Sequence, residues 1–275
     1  MNHEDVKIII VTGKSGAGKQ PRIEVLLHEF MLTQLSTGKI FREHLALLKD
    51  TNIDLPREAY WNEKKHAFLK DEKIKQAILA ANASVCVDIE KLVLAIKEKY
   101  FLDSGLFVPD DITNNLFAYS FGAYNFEGVV LDGYPRTKLQ AQFLLDLLNK
   151  HGKKVAFVFL VESDDASIIS RISGRRICPS CGAVYHIQYK QPVDGKYCSN
   201  CGTEVVQRTD DNEENIRIRL QEFEKKTAPA LKYLNSRKIP FVKVSGNLPV
   251  LTDEAINESV MSAIAPLFNS NKSEK

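Results

Sequence analysis

The sequence predicts a doubly wound α/β protein: a parallel sheet with helices on both faces, interrupted by a helical insertion and a small cysteine-bearing flap. Three observations carry that expectation. Apolar, β-branched runs recur and end at a glycine or an acid, as strands covered on both faces do. Stretches with apolar positions three and four apart lie between them, so strand alternates with helix. Two segments then break the rhythm in composition.

The 275 residues are 44% hydrophobic and 26% charged, which suits one or two ordered globular domains. A net charge of +2 gives no global attraction to nucleic acid or to a membrane surface. The N-terminus, MNHEDVKIIIVTG, lacks the basic start and longer apolar run of a secretory signal, and no stretch approaches the roughly 18 apolar residues of a membrane span. The expectation is a soluble cytoplasmic protein without a nucleic-acid or membrane partner.

The first strand is read over Val6 to Thr12 (VKIIIVT), followed by Gly128 to Leu131 (GVVL), Val155 to Val161 (VAFVFLV) and Ile239 to Val244 (IPFVKV). Helical patterns run from Thr137 to Lys150 and from Asn212 to Leu234. Glu43 to Tyr100 shows no buried strand and reads as mostly helical, for example over Asn62 to Ile78 and Asp88 to Lys99. Ile177 to Val206 is short, turn-rich and cysteine-bearing, and the polar residues from Asn269 to Lys275 read as a frayed end. Cys86, alone in NASVCVDI, is expected as a small buried apolar residue.

Directly after the first strand, Gly13-Lys14-Ser15-Gly16-Ala17-Gly18-Lys19 fits G-x-x-x-x-G-K, the phosphate-cradling loop between a strand and a helix. Glycines let successive N–H groups turn inward to phosphate oxygens, the helix adds its positive end, and Lys19 reaches the outer phosphates. Where most such loops place Ser or Thr, this one continues Gln20-Pro21. Proline is sterically acceptable in a first helical turn, yet it removes an N–H that a phosphate would use.

Cys178, Cys181, Cys198 and Cys201 make C-x₂-C-x₁₆-C-x₂-C, with Gly182 and Gly202 after each pair. Two such knuckles hold one tetrahedral zinc, and four thiolates leave no open position, so the ion is structural. The flap would bring its two ends together, and with them Arg171, Arg175 and Arg176 on one side and Arg208, Asp210, Asp211, Arg217 and Arg219 on the other. Arginines converging on one anion suit phosphoryl transfer. Asp132, at the end of a buried strand in Asp132-Gly133-Tyr134-Pro135-Arg136, lies at the sheet edge where ligands bind, and its carboxylate suits magnesium held through waters.

These motifs resemble adenylate kinase, in the long form with a zinc-bearing lid. The resemblance rests on GKSGAGK, LSTGKIFRE (Leu35 to Glu43), LFVPDD (Leu106 to Asp111), LDGYPRTKLQA (Leu131 to Ala141), RISGRRICPSCGAVYH (Arg171 to His186), QRTDDNEENIRIRL (Gln207 to Leu220) and VSGNLPV, which carries Ser245 and Gly246. It covers nearly the whole chain outside Glu43 to about Tyr100. It implies a sheet of the phosphate-loop nucleoside monophosphate kinase type and reversible transfer between a magnesium nucleoside triphosphate and AMP, giving two diphosphates. ATP would lie on Gly13, Gly16, Ala17, Gly18, Lys19, Gln20, Arg171 and Gly246; AMP on Thr37, Arg42, Gly133, Arg136 and Gln140. Arg136, Arg175, Arg208 and Arg219 would neutralise the transferred group, with Asp132 and Asp210 organising magnesium waters and the lid arginines.

The implied boundaries are a core of residues 1–36, 101–170 and 208–275, an AMP-binding domain at 37–100 and a zinc lid at 171–207. The chain departs from the family pattern at Gln20-Pro21-Arg22, where Gly-Thr-Gln is usual, and at Lys39, which replaces an acid. Between Arg42 and Gly105 it is longer by about forty residues. That segment reads as a larger acceptor lid, a surface elaboration or, through Tyr60 and Trp61, an oligomer contact, with a monomer as the default. Two functional alternatives stay open here: another donor such as GTP, and a weakly active nucleotide sensor.

Overall fold

The structure, a computed structural model, describes residues 1–103, 108–207, 211–248 and 252–269. Along the chain run β1 (Ile8–Thr12), α1 (Lys19–Phe30), β2 (Thr33–Ser36), α2 (Thr37–Asp50), β3 (Trp61–Asn62), β4 (Ala67–Phe68), α3 (Asp71–Ala81), α4 (Ile89–Asp103), α5 (Asp110–Gly122) and β5 (Val129–Asp132). They are followed by α6 (Lys138–Lys150), β6 (Phe157–Glu162), α7 (Asp165–Ser173), β7 (Arg175–Ile177), β8 (Val184–His186), α8 (Glu213–Glu222), α9 (Ala228–Ser236), β9 (Phe241–Ser245), α10 (Asp253–Ile264) and α11 (Pro266–Asn269).

The main sheet has the order β2-β5-β1-β6-β9, with β1 parallel to β5 and β6, and β6 parallel to β9. Every residue of β1 is buried, as its unbroken apolar run requires of a central strand. The four runs read from sequence are all strands, with ends shifted by one or two residues. β2 was not anticipated: of Thr33, Gln34, Leu35 and Ser36 only Leu35 is buried, because the strand lies at the sheet edge and carries no apolar run.

The chain packs as two compact units. The first comprises residues 1–34, 128–141 and 154–275, the second residues 35–127 and 142–153. The core of the first gathers Ile9, Val11, Val130, Phe157 and Phe159 with Ile23 and Leu26 of α1 and Val260 and Ile264 of α10. At about 25 cal/mol per Å² of apolar surface, such fully buried side chains each contribute roughly 1.5–3 kcal/mol. In the second unit Leu48 of α2, Ile74 and Ile78 of α3, and Leu92, Val93 and Ile96 of α4 form a separate helical core.

The Asn62 to Ile78 stretch, expected from periodicity as one helix, does not form one. Its first part is the β3–β4 hairpin, and α3 starts only at Asp71. Trp61 and Phe68 face one another across the hairpin at 5.1 Å, Asn62 Oδ1 accepts the Lys65 N–H at 3.0 Å, and His66 turns through a positive φ of 46°. An aromatic cross-strand pair closed by an asparagine turn outweighs the local helical pattern. Trp61 also stacks on Tyr100 at 4.2 Å, and Tyr60 meets Tyr100 edge-on, so these rings pack inside their own unit. Cys86 is exposed rather than buried, its thiol 3.4 Å from the Ser84 carbonyl. Asn212 to Leu234 is α8 and α9 joined by a π turn over Phe223–Thr227. No helix among the described residues is long and apolar enough to cross a membrane.

Candidate active site

The loop between β1 and α1 curls as its glycines require. Gly13 has φ 146°, and a Cβ there would lie 2.3 Å from the Val161 carbonyl oxygen, so a side chain is excluded twice over. Lys19 Nζ donates to the carbonyls of Gly13 and Lys14, both at 3.0 Å. Arg171 Nη1 donates to Gly16 O at 3.2 Å, and Arg22 Nη1 to Gly18 O at 2.8 Å. Cations therefore occupy the loop's carbonyl oxygens, the complement of a loop whose N–H groups serve an anion. Burial pushes the Lys19 ammonium down to about 8; the partial opposition of Asp132 and the assistance of Arg136 and Arg175 put all three groups within electrostatic reach.

Pro21 falls in the first turn of α1, where its missing N–H breaks no helical bond. Arg22 next to it is 1% exposed, although sequence reading treated it only as a departure from pattern. Its Nη2 donates to Ser245 O at 2.6 Å, which ties the loop to the turn after β9. Burial lowers its guanidinium to about 10, and Arg171 acts in the same direction. Gly246 sits in that turn: a Cβ there would lie 2.1 Å from Ala17 O, and its N–H donates to Glu162 O at 2.6 Å. Asn247 accepts from Arg171 and donates to Asp164, the N-cap of α7.

At the end of β5, Asp132 Oδ2 accepts from Gln34 Nε2 at 3.1 Å. The following turn is held by Arg136 Nε on Gly133 O at 2.9 Å and by the Arg136 N–H on Gln140 Oε1 at 2.7 Å. Gln140 is 5% exposed and its own N–H reaches Thr137 Oγ1 at 3.1 Å, so the pairing is set by the first turn of α6. Thr37, 4% exposed, and Arg42, exposed, lie on α2 in the second unit.

The flap closes on itself. Ile177 and Val206 exchange both backbone hydrogen bonds at 2.8 Å, and β7 pairs antiparallel with β8. The knuckles repeat one geometry: Gly182 N–H donates to Cys178 O at 3.0 Å, and Gly202 N–H to Cys198 O at 2.9 Å. The four Sγ atoms lie within 4.8 Å of one another, with separations of 3.4 Å for Cys178–Cys201 and 3.5 Å for Cys181–Cys198. A tetrahedron with Zn–S bonds of about 2.3 Å has edges of about 3.8 Å, so the donor set fits zinc.

Arg175 makes a two-bond pair with Asp211, 2.8 Å from Nε and 2.5 Å from Nη2, and Arg219 Nη1 stands 3.7 Å from the same carboxylate. The Asp211 side chain is fully buried. Arg208 and Asp210 lie outside the described residues, as do Leu106 and Phe107 of one quoted motif, Pro249 and Val250 of another, and the terminal tail. The organising role implied for Asp210 therefore falls outside the described residues, and its neighbour Asp211 is the carboxylate that holds Arg175. Arg217 leaves the frame, because it pairs with Glu213 one helical turn away on the exposed face of α8.

A parallel sheet with a phosphate loop at its first β–α turn, a carboxylate at the end of the neighbouring strand and an arginine-bearing flap defines a phosphate-loop nucleoside monophosphate kinase. The adenylate kinase family model matches residues 90–239. The chain is 31% identical over 232 residues to the adenylate kinase of Clostridium kluyveri, covering 84% of this chain and 87% of that protein. It is 31% identical over 257 residues to that of Thermoanaerobacter sp. strain X514 (93% and 97% covered) and 30% identical over 268 residues to that of Clostridium perfringens strain 13 (97% and 99%). The chain belongs to the adenylate kinase family.

Proposed function

We propose that the chain transfers the terminal phosphoryl group of magnesium ATP reversibly to AMP, giving two ADP, with the roles that its motifs imply. The observation that carries this reading is the loop in which Lys19 is fixed by the carbonyls of Gly13 and Lys14, within electrostatic reach of Asp132, Arg136 and Arg175. The loop amides from Gly13 to Gln20 and the Lys19 ammonium hold the donor's phosphates, while Arg171 and the Gly246 turn flank the base side. Thr37, Arg42, Gly133, Arg136 and Gln140 hold AMP. Arg136, Arg175, Arg208 and Arg219 neutralise charge on the group in flight, and Asp210 helps to orient the lid arginines.

Asp132 is a hard oxygen donor at the sheet edge and suits magnesium, which supplies further charge neutralisation when it arrives with the nucleotide. No side chain need form a bond to phosphorus; positioning and charge stabilisation suffice. We assign one structural zinc to Cys178, Cys181, Cys198 and Cys201, and three working parts to the chain: the core, an AMP-binding segment at 37–100 and the lid at 171–207.

The test is steady-state transfer with magnesium ATP and AMP, with GTP, CTP and UTP as rival donors. AMP-dependent ADP formation is expected, with a loss of about 100- to 1,000-fold or more in Lys19→Met. Unchanged turnover in that variant overturns the loop assignment. Nucleotide binding without turnover from any donor overturns the enzymatic reading in favour of a sensor.

A further inference from the structure

Gln20 stands where most phosphate loops carry a hydroxyl, and its side chain has a defined set of partners. Its carboxamide pairs reciprocally with that of Gln34 on β2: Gln20 Nε2 donates to Gln34 Oε1 at 3.2 Å, and Gln34 Nε2 donates to Gln20 Oε1 at 3.1 Å. Gln34 Nε2 also donates to Asp132 Oδ2 at 3.1 Å, and Gln20 Nε2 also donates to Glu24 Oε1 at 3.3 Å. An ionised carboxylate only accepts, so Asp132 and Glu24 fix which way each amide faces. The result is an ordered run of four side chains, Glu24–Gln20–Gln34–Asp132, that joins the first helical turn after the loop to the end of β5.

A serine or threonine hydroxyl has a single donor and cannot make a two-bond amide pair, and glycine has no side chain at all. Glutamine at this position therefore gives up a hydroxyl contact with the metal-bearing phosphates and gains, through Gln34, a hold on the Asp132 carboxylate. We propose that Gln20 is a positioning residue of the transfer site, acting through Gln34 to fix the orientation in which Asp132 receives the magnesium-bearing phosphates. This rests on the reading of Asp132 as the magnesium carboxylate given under Proposed function.

The experiment is calorimetric titration of ATP, once with magnesium and once with EDTA, into wild type, Gln20→Ala, Gln34→Leu, the double variant and Asp132→Asn. Loss of one net hydrogen bond should reduce the magnesium-dependent gain in ATP affinity by about threefold to tenfold in Gln20→Ala and in Gln34→Leu. In Gln34→Leu, affinity without magnesium, the KM for AMP and the melting temperature should stay at wild-type values. The double variant should be no worse than Gln34→Leu, because both changes cut one chain of contacts. If Asp132→Asn loses the magnesium gain while both glutamine variants keep it, the positioning role is overturned and the site reading stands. If Asp132→Asn keeps the gain, the reading of Asp132 itself falls. An equal loss with and without magnesium assigns Gln20 to the loop alone and overturns the proposal.

Discussion

Lys19 is a residue whose chemistry depends on its setting. Held by two loop carbonyls, its ammonium is lowered by burial to about 8, so near that pH the unliganded loop carries it about half protonated. A bound triphosphate favours the charged form, and binding then takes up on the order of half a proton per chain. Uptake fades as pH falls well below 8, where the lysine is charged before the ligand arrives. Titrations at pH 8 in two buffers of different ionisation enthalpy read this directly. Lys19→Met should show no uptake, and a wild type showing none contradicts the argument. At this scale the meeting of the four cysteines was legible because their spacing ties them to one chemistry. The burial of Arg22 was not, and Asp211 was named only as one of a charged group, since a charged residue in sequence looks solvated until burial and partners are known.

Among the elements, α2 and α4 bring together His44 and Glu98, 4.0 Å apart, with side chains 7% and 0% exposed. Burial holds Glu98 up to about 8 and, with Lys91 acting in the same direction, His44 down to about 4, so both are neutral over a broad range around pH 6. For Glu98 the unfolded chain ionises near 4.5 and the folded one only near 8, so stability declines as pH climbs through that window. His44 acts at the other end: its contribution is lost as pH falls from 6.5 toward 4. Glu98→Gln should therefore gain melting temperature relative to wild type between pH 5 and pH 8; a constant difference across that range counts against it. The flap strands β7 and β8 frame a small core of Cys178, Cys198, Tyr185 and Val205, too little to stand without a staple. Zinc near one per chain is expected by elemental analysis, with chelation lowering the melting temperature and making the four thiols reactive. A zinc-free protein of equal stability contradicts the assignment. Buried central strands were legible from their apolar runs, whereas β2 was hidden by its edge position and β3–β4 by a pairing between residues that local periodicity does not see.

Over the whole molecule, alternation of strand and helix was enough to read a doubly wound sheet, because the central strands are covered on both faces and their sequences say so. The order β2-β5-β1-β6-β9 was not read from the chain, since a run of valines does not name its neighbour. The long segment after Arg42 was legible as mostly helical. Its separate core, built from α2, α3 and α4, came only with the structure. One consequence follows from its hairpin. Trp61 is the chain's only tryptophan, and it is stacked on Tyr100 within the second unit. Selectively excited indole emission is therefore a built-in optical probe of that unit, and following it beside far-ultraviolet dichroism, to which the helices of both units contribute, reads whether the second unit melts with the rest of the chain.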